Sequence, residues 1–109
     1  MMYLIVGLGN IGKEYANTRH NVGFMVIDEL SKMWKLKVNF AKNNALIGRG
    51  SITIDAETYN VILAKPLTYM NLSGRAVKQL MSDFLVPPSH IIVAHDDLDL
   101  PLGKIRIRV

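Results

Sequence analysis

No cysteine occurs anywhere in the chain, which excludes disulfides and thiolate-bound metal centres and leaves a reducing compartment, the cytoplasm, as the expected setting. No apolar run approaches the ~18 residues needed to cross a bilayer, so no membrane association is expected. The first residues read as a strand rather than as the basic region, apolar segment and cleavage site of a secretory leader, so no leader is expected. No repeat, low-complexity linker or second domain interrupts the sequence, and 109 residues suffice for one hydrophobic core.

Apolar side chains are abundant: they make up 50% of the residues, and six methionines supply adaptable packing. Thirteen Lys and Arg against nine Asp and Glu give a formal net charge of +4. That excess suits a polyanionic partner such as RNA, but is equally common in proteins that never meet nucleic acid.

The sequence turns on Leu4-Ile5-Val6-Gly7-Leu8-Gly9-Asn10-Ile11-Gly12. Consecutive aliphatic residues ahead of Gly7 predict a strand buried on both faces, as in the middle of a parallel or mixed sheet. The glycines permit backbone conformations and ligand approaches that a Cβ would block. Open α/β sheets place ligands beyond the carboxyl ends of such strands, which is where Asn10 falls. The stretch also spells GxGxxG. The dinucleotide fingerprint, however, needs a helix opening at its third glycine and an acidic residue about 20 positions on at the end of a second strand. Here Lys13 to Asn21 is polar without an apolar stripe, and Asp28 and Glu29 fall inside a helical pattern. A nucleotide cofactor is therefore not expected.

Asn21 is placed to cap a helix with apolar positions Val22, Val26, Leu30 and Met33, widened by Met25, Ile27 and Trp34. Ala45 to Ile54 predicts a strand interrupted by Gly48 and Gly50. Tyr59 to Ala64 predicts another, joined to it through Asp55-Ala56-Glu57-Thr58 and ended by Lys65-Pro66. Ser73 is a candidate cap for a helix with stripe Val77, Leu80, Met81 and Phe84, stopped by Pro87-Pro88. Ile91 to Ala94 is a short apolar strand running out at His95-Asp96-Asp97, and Lys104 to Val109 alternates basic and aliphatic residues as a half-exposed strand does. Strand, helix, hairpin, helix, strand, strand is the signature of an α/β domain with a mixed sheet.

Strand ends thus deliver Asn10, then Tyr69 and Asn71, then Asp96 and Asp97, while His20 comes from the loop after the first strand. A histidine, a carboxylate to orient it and amides to hold a water or a carbonyl are the components of a general-base hydrolase. With no cysteine, and with Ser73 better explained as a cap, water is the simpler nucleophile. Plainer readings stand beside this one. His20 could serve only the helix start, the asparagines could close their own turns, and the aspartates could form a solvated loop, three carboxylates without paired histidines being poor grounds for a metal. Arg106 and Arg108 could be the wet face of an edge strand. A non-catalytic RNA-binding module built on the basic strand and the loop aromatics fits the residues as well.

The segments together resemble the bacterial-type peptidyl-tRNA hydrolase family. The matching pieces are Val6 to Asn10 with Gly12, then Tyr15, Thr18-Arg19-His20-Asn21 with Gly23, then Lys65-Pro66-Leu67-Thr68-Tyr69-Met70-Asn71-Leu72-Ser73-Gly74, and His95 to Lys104. The resemblance implies an α/β/α sandwich around a mixed sheet with a largely parallel core. It implies hydrolysis of the ester between a peptide's carbonyl and the 3′-terminal ribose of tRNA, with neither metal nor cofactor.

By similarity His20 is the general base and Asp96 its orienting carboxylate. Asn10 positions the base and reads N-blocked substrates, and Asn71 binds near the scissile ester. Tyr15, Tyr69 and Met70 line the substrate path, and Arg106 and Arg108 meet acceptor-stem phosphates. Ile11 stands where the family usually has proline. Family chains continue past this length into a Gly-rich His-Asn segment, further strands and C-terminal helices. Residues 1–109 are therefore expected to be an N-terminal portion, weakly active or inactive alone and prone to self-association, whereas the complete enzyme is expected to be a monomer.

Overall fold

The computed structural model describes residues 2–9, 22–67, 73–96 and 105–108. Six strands form one sheet: β1 (Met2–Gly7), β2 (Phe40–Lys42), β3 (Ala45–Ile54), β4 (Glu57–Pro66), β5 (Ile91–Asp96) and β6 (Ile105–Arg108), in the spatial order β2-β3-β4-β1-β5-β6. Two helices accompany them, α1 (Val22–Trp34) and α2 (Ser73–Phe84). β1 runs parallel to β4 on one side and to β5 on the other, while β2, β3 and β6 complete the sheet through antiparallel pairs. The expected mixed sheet with a parallel centre is the one observed.

Alternation along β1 sends its side chains into two cores. Leu4 and Val6 pack with Ile62, Ala64, Ile47 and Ile91 against Leu80 of α2, with Val77, Met81 and Phe84 alongside. Ile5 points the other way, with Leu63 and Ile92, onto Ile27, Leu30 and Trp34 of α1. The helices therefore cover opposite faces, and the three layers are α/β/α. A wholly buried Leu4, Ile27 or Leu80 contributes roughly 1.5–3 kcal/mol each through apolar burial.

The α2 stripe read from the sequence is the stripe that packs. That of α1 is narrower than expected: Ile27, Leu30 and Trp34 pack, Met33 and Met25 are exposed, and Gly23, outside the stripe, is buried. Seven apolar residues spread over most of a helix leave the phase open, and Gly23, which carries no hydropathy signal, settles it by close packing. The β3–β4 connection is also tighter than expected. Asp55 and Ala56 alone turn the chain, both at positive φ, and Glu57 and Thr58 already pair with Ile54 and Thr53. This is the two-residue geometry that matches strand twist. β3 continues through Gly48, where a Cβ would lie 2.4 Å from the Lys37 carbonyl oxygen, because the segment after α1 crosses there. The short β2 and a 3-10 turn at Pro88–His90 have no counterpart in the sequence reading. Both helices end in a left-handed residue, Lys35 and Leu85, with Leu36 N–H donating to Ser31 O (3.0 Å) and Val86 N–H to Met81 O (2.9 Å). These are the six-to-one bonds of a Schellman stop.

Candidate active site at the carboxyl edge of the parallel strands

Three adjacent strands, β4, β1 and β5, are parallel, with Val6 opposite Ala64 and Gly7 opposite Ala94. Their carboxyl ends therefore share one edge of the sheet. Leu8 N–H donates to Ala94 O at 2.9 Å, carrying the β1–β5 ladder one residue past β1. On the other side Leu67 N–H donates to Asn44 O at 2.7 Å, so the exit of β4 is tied to the β2–β3 turn. Every segment in which the sequence places site residues leaves from, or returns to, this edge.

The first turn of α1 is seated on the same edge through glycine. A Cβ built on Gly23 would lie 2.3 Å from Leu8 O and 2.4 Å from Ala94 O, and one on Gly7 would lie 2.1 Å from Gly23 O. Only two facing residues without side chains allow helix backbone and strand backbone to come this close. Gly23 follows His20 by three positions in the sequence.

Beside that contact, Lys65 near the end of β4 donates to the carboxylate of Asp28 at 2.7 Å, and its ammonium lies 5.6 Å from the centre of the Phe24 ring. Asp28 and Phe24 both belong to α1, so this pair is a second bond between the start of the helix and the end of a strand. Sequence reasoning gives Lys65 only the role of ending a strand. No local pattern reveals a pairing across 37 residues.

Of the residues expected at the site, Asn10, Tyr15, His20, Tyr69, Met70 and Asn71 lie outside the described residues. Asp96 is the last residue of β5, paired in register with Ile105, and Arg106 and Arg108 lie on β6 opposite His95 and Val93. Among the described residues, no group of three His, Cys, Asp or Glu side chains is placed to hold a metal ion, and no helix is long and apolar enough to cross a membrane.

Among the described residues, two hollows lie toward the amino-terminal end of the parallel strands. One, of about 290 Å³, is bounded by Tyr3, Trp34, Tyr59 and Ile92, and the other, of about 340 Å³, by Met2, Arg49, Ser51 and Asn60. At the first of these Tyr59 donates its hydroxyl to Glu57 at 2.8 Å. That hydrogen bond, with the negative charge of the same carboxylate, raises the Tyr59 phenol above the ordinary tyrosine value.

The family model for peptidyl-tRNA hydrolase matches residues 4–109. The chain belongs to the peptidyl-tRNA hydrolase family. Curated relatives agree: it is 52% identical over 108 residues to peptidyl-tRNA hydrolase of Carboxydothermus hydrogenoformans, covering 99% of this chain and 56% of the relative. It is 53% identical over 107 residues to that of Bacillus subtilis, covering 98% and 55%. The crystal structure of peptidyl-tRNA hydrolase from Acinetobacter baumannii superposes with a TM-score of 0.79 at 40% identity, over 91% of this chain and 49% of that one. The fold is thus that of peptidyl-tRNA hydrolase structures, and the chain spans about half the length of the curated relatives it matches.

Proposed function

We propose that this chain supplies the catalytic edge of a peptidyl-tRNA hydrolase, which cleaves the ester between the carboxyl carbon of a peptide and the 3′ oxygen of the terminal ribose of tRNA. The observation that most supports this reading is the common carboxyl edge of β4, β1 and β5. Asn10 follows Leu8 by two residues in the sequence, and Asp96 follows Ala94 by two along β5. Three residues of chain span at most about 11 Å, so His20 is covalently tethered to the same corner through Gly23.

In this mechanism the imidazole of His20 takes a proton from water as the water oxygen attacks the ester carbonyl. Asp96 holds the ring in orientation and stabilises its cationic form. Asn10 positions His20 and reads the N-blocked aminoacyl group, the amide of Asn71 holds the substrate near the scissile ester, and Tyr15, Tyr69 and Met70 flank the terminal nucleotide or peptide. Collapse of the tetrahedral intermediate breaks the carbon to 3′-oxygen bond. The proton passes from His20 to the ribose oxygen, releasing free peptide and reusable tRNA. An aminoacyl ester is reactive enough for a poised base and amide donors to suffice. Arg106 and Arg108 contribute phosphate contacts for the acceptor stem.

The test is hydrolysis of N-acetyl-aminoacyl-tRNA by the full natural chain and by its His20→Ala variant. Loss of a general base is expected to lower kcat by ~10²–10⁴-fold, with tRNA affinity preserved. Undiminished turnover in the variant would refute the assignment of the base. A wild-type chain that binds tRNA but never cleaves it would favour the RNA-binding module.

A further inference from the structure

Lys65 is an unexpected residue for its place. It follows four buried residues of β4, Val61 to Ala64, and precedes buried Pro66, yet it is a cation whose side chain is only 20% exposed. Its ammonium is bonded to Asp28 at 2.7 Å and set 5.6 Å from the Phe24 ring centre. An apolar residue would fill the same space. What an ammonium adds is a charge-assisted bond that links β4 to α1, made to an Asp28 side chain that is 56% exposed.

Those two elements adjoin, in the sequence, the segments that carry residues of the proposed site. Phe24 and Asp28 lie on the first two turns of α1, which follow the segment containing His20, and Lys65 and Pro66 lead into the segment containing Tyr69, Met70 and Asn71. Resting on the hydrolase reading above, we infer that Lys65, Asp28 and Phe24 form a positioning clamp, which sets the spacing between the general-base arm and the substrate-binding arm without touching substrate. The main rival is that Lys65 is a phosphate contact for the tRNA. The two readings make opposite statements about Asp28. If Lys65 serves the substrate, removing its carboxylate partner frees the ammonium and tightens binding. If it serves the clamp, removing either partner damages the same property.

The experiment compares Lys65→Met, Asp28→Asn, the double variant and Lys65→Arg in the full natural chain, reading kcat, KM, salt dependence and melting temperature with N-acetyl-aminoacyl-tRNA. A misplacement well under an ångström is expected to lower kcat about tenfold in each of Lys65→Met and Asp28→Asn. KM, salt slope and melting temperature should stay near wild type, the double variant should lose no more than either single one, and Lys65→Arg should recover most of the rate. Unchanged kcat in Asp28→Asn, or a change confined to KM and salt slope in Lys65→Met, would overturn the clamp. A second readout is independent of turnover. The ring resonances of His20, followed by NMR through a pH titration, should move in both single variants and return in Lys65→Arg. If the wild-type chain hydrolyses nothing, the functional reading fails, and shifted His20 resonances still support the clamp while unshifted ones refute it.

Discussion

The same substitution, glycine to alanine at the second residue of a helix, is expected to have opposite effects in α1 and α2. Gly23 is second in α1 and Gly74 second in α2. In both places alanine gains up to about 1 kcal/mol in helix propensity. A Cβ on Gly74 meets nothing within 4 Å, whereas one on Gly23 meets Leu8 O at 2.3 Å, Ala94 O at 2.4 Å and Leu8 N at 2.5 Å. All three are backbone atoms held in the sheet, so relief requires the helix start to retreat by about 1 Å, a displacement of the order that costs a site ~10²-fold in rate. Overpacking of this kind costs roughly 1–3 kcal/mol. Because the propensity terms are matched, the gap between the two variants measures the clash itself. Urea unfolding is the assay: with a slope of ~1–3 kcal/mol per molar for a small protein, Gly74→Ala should raise the midpoint and Gly23→Ala should lower it, about 1 M apart. Coincident midpoints would mean that α1 does not rest on the strand ends, and the tether invoked for His20 would be lost with it.

Three further outcomes are expected. Ala56→Gly should stabilise the fold by about 1 kcal/mol, seen in thermal unfolding, because Ala56 is held at φ 68 in the β3–β4 turn where a Cβ is strained and Asp-Gly is favoured. Replacing Arg106 and Arg108 together with Ala should flatten the log-log salt dependence of tRNA binding by roughly 0.9 for each phosphate no longer neutralised, and an unchanged slope would return both to a solubilising role. Glu57→Gln should bring the Tyr59 phenol back toward the ordinary tyrosine value, followed by phenolate absorbance. In the native chain the raised value means that this group's contribution to stability is complete below the ordinary tyrosine pKa and is lost as pH rises through the raised one.

Much of the fold is legible in the sequence because its signals are local. A run of aliphatics ending in glycine marks β1, and four apolar residues at helical spacing mark the packed stripe of α2. The errors lie where a residue acts through what it lacks or through a distant partner. Gly23 contributes an absent side chain, which no hydropathy pattern registers, so hydropathy counts the exposed Met25 and Met33 into the stripe of α1 together with Ile27, Leu30 and Trp34, which do pack. Lys65 and Asp28 look like unrelated surface charges until the sheet brings β4 beside α1. For the candidate site, strand-end positions mark Asn10, Asn71 and Asp96, but that β4, β1 and β5 end on one edge depends on β1 lying between the other two, a long-range pairing that no local pattern carries. Individual roles come from the resemblance and from chemistry.

The central position of β1 has a consequence for biosynthesis. β1 precedes both of its flanking neighbours in the chain, which begin only at Glu57 and Ile91. At ~5–20 residues per second, the first of them follows roughly 3–12 s later, and the second later still. Throughout that interval a hydrophobic segment destined for the middle of the molecule has neither hydrogen-bonding flank available. In the nascent polypeptide residues 2–7 therefore wait longest for their partners, and a ribosome-associated holdase would have its principal target there.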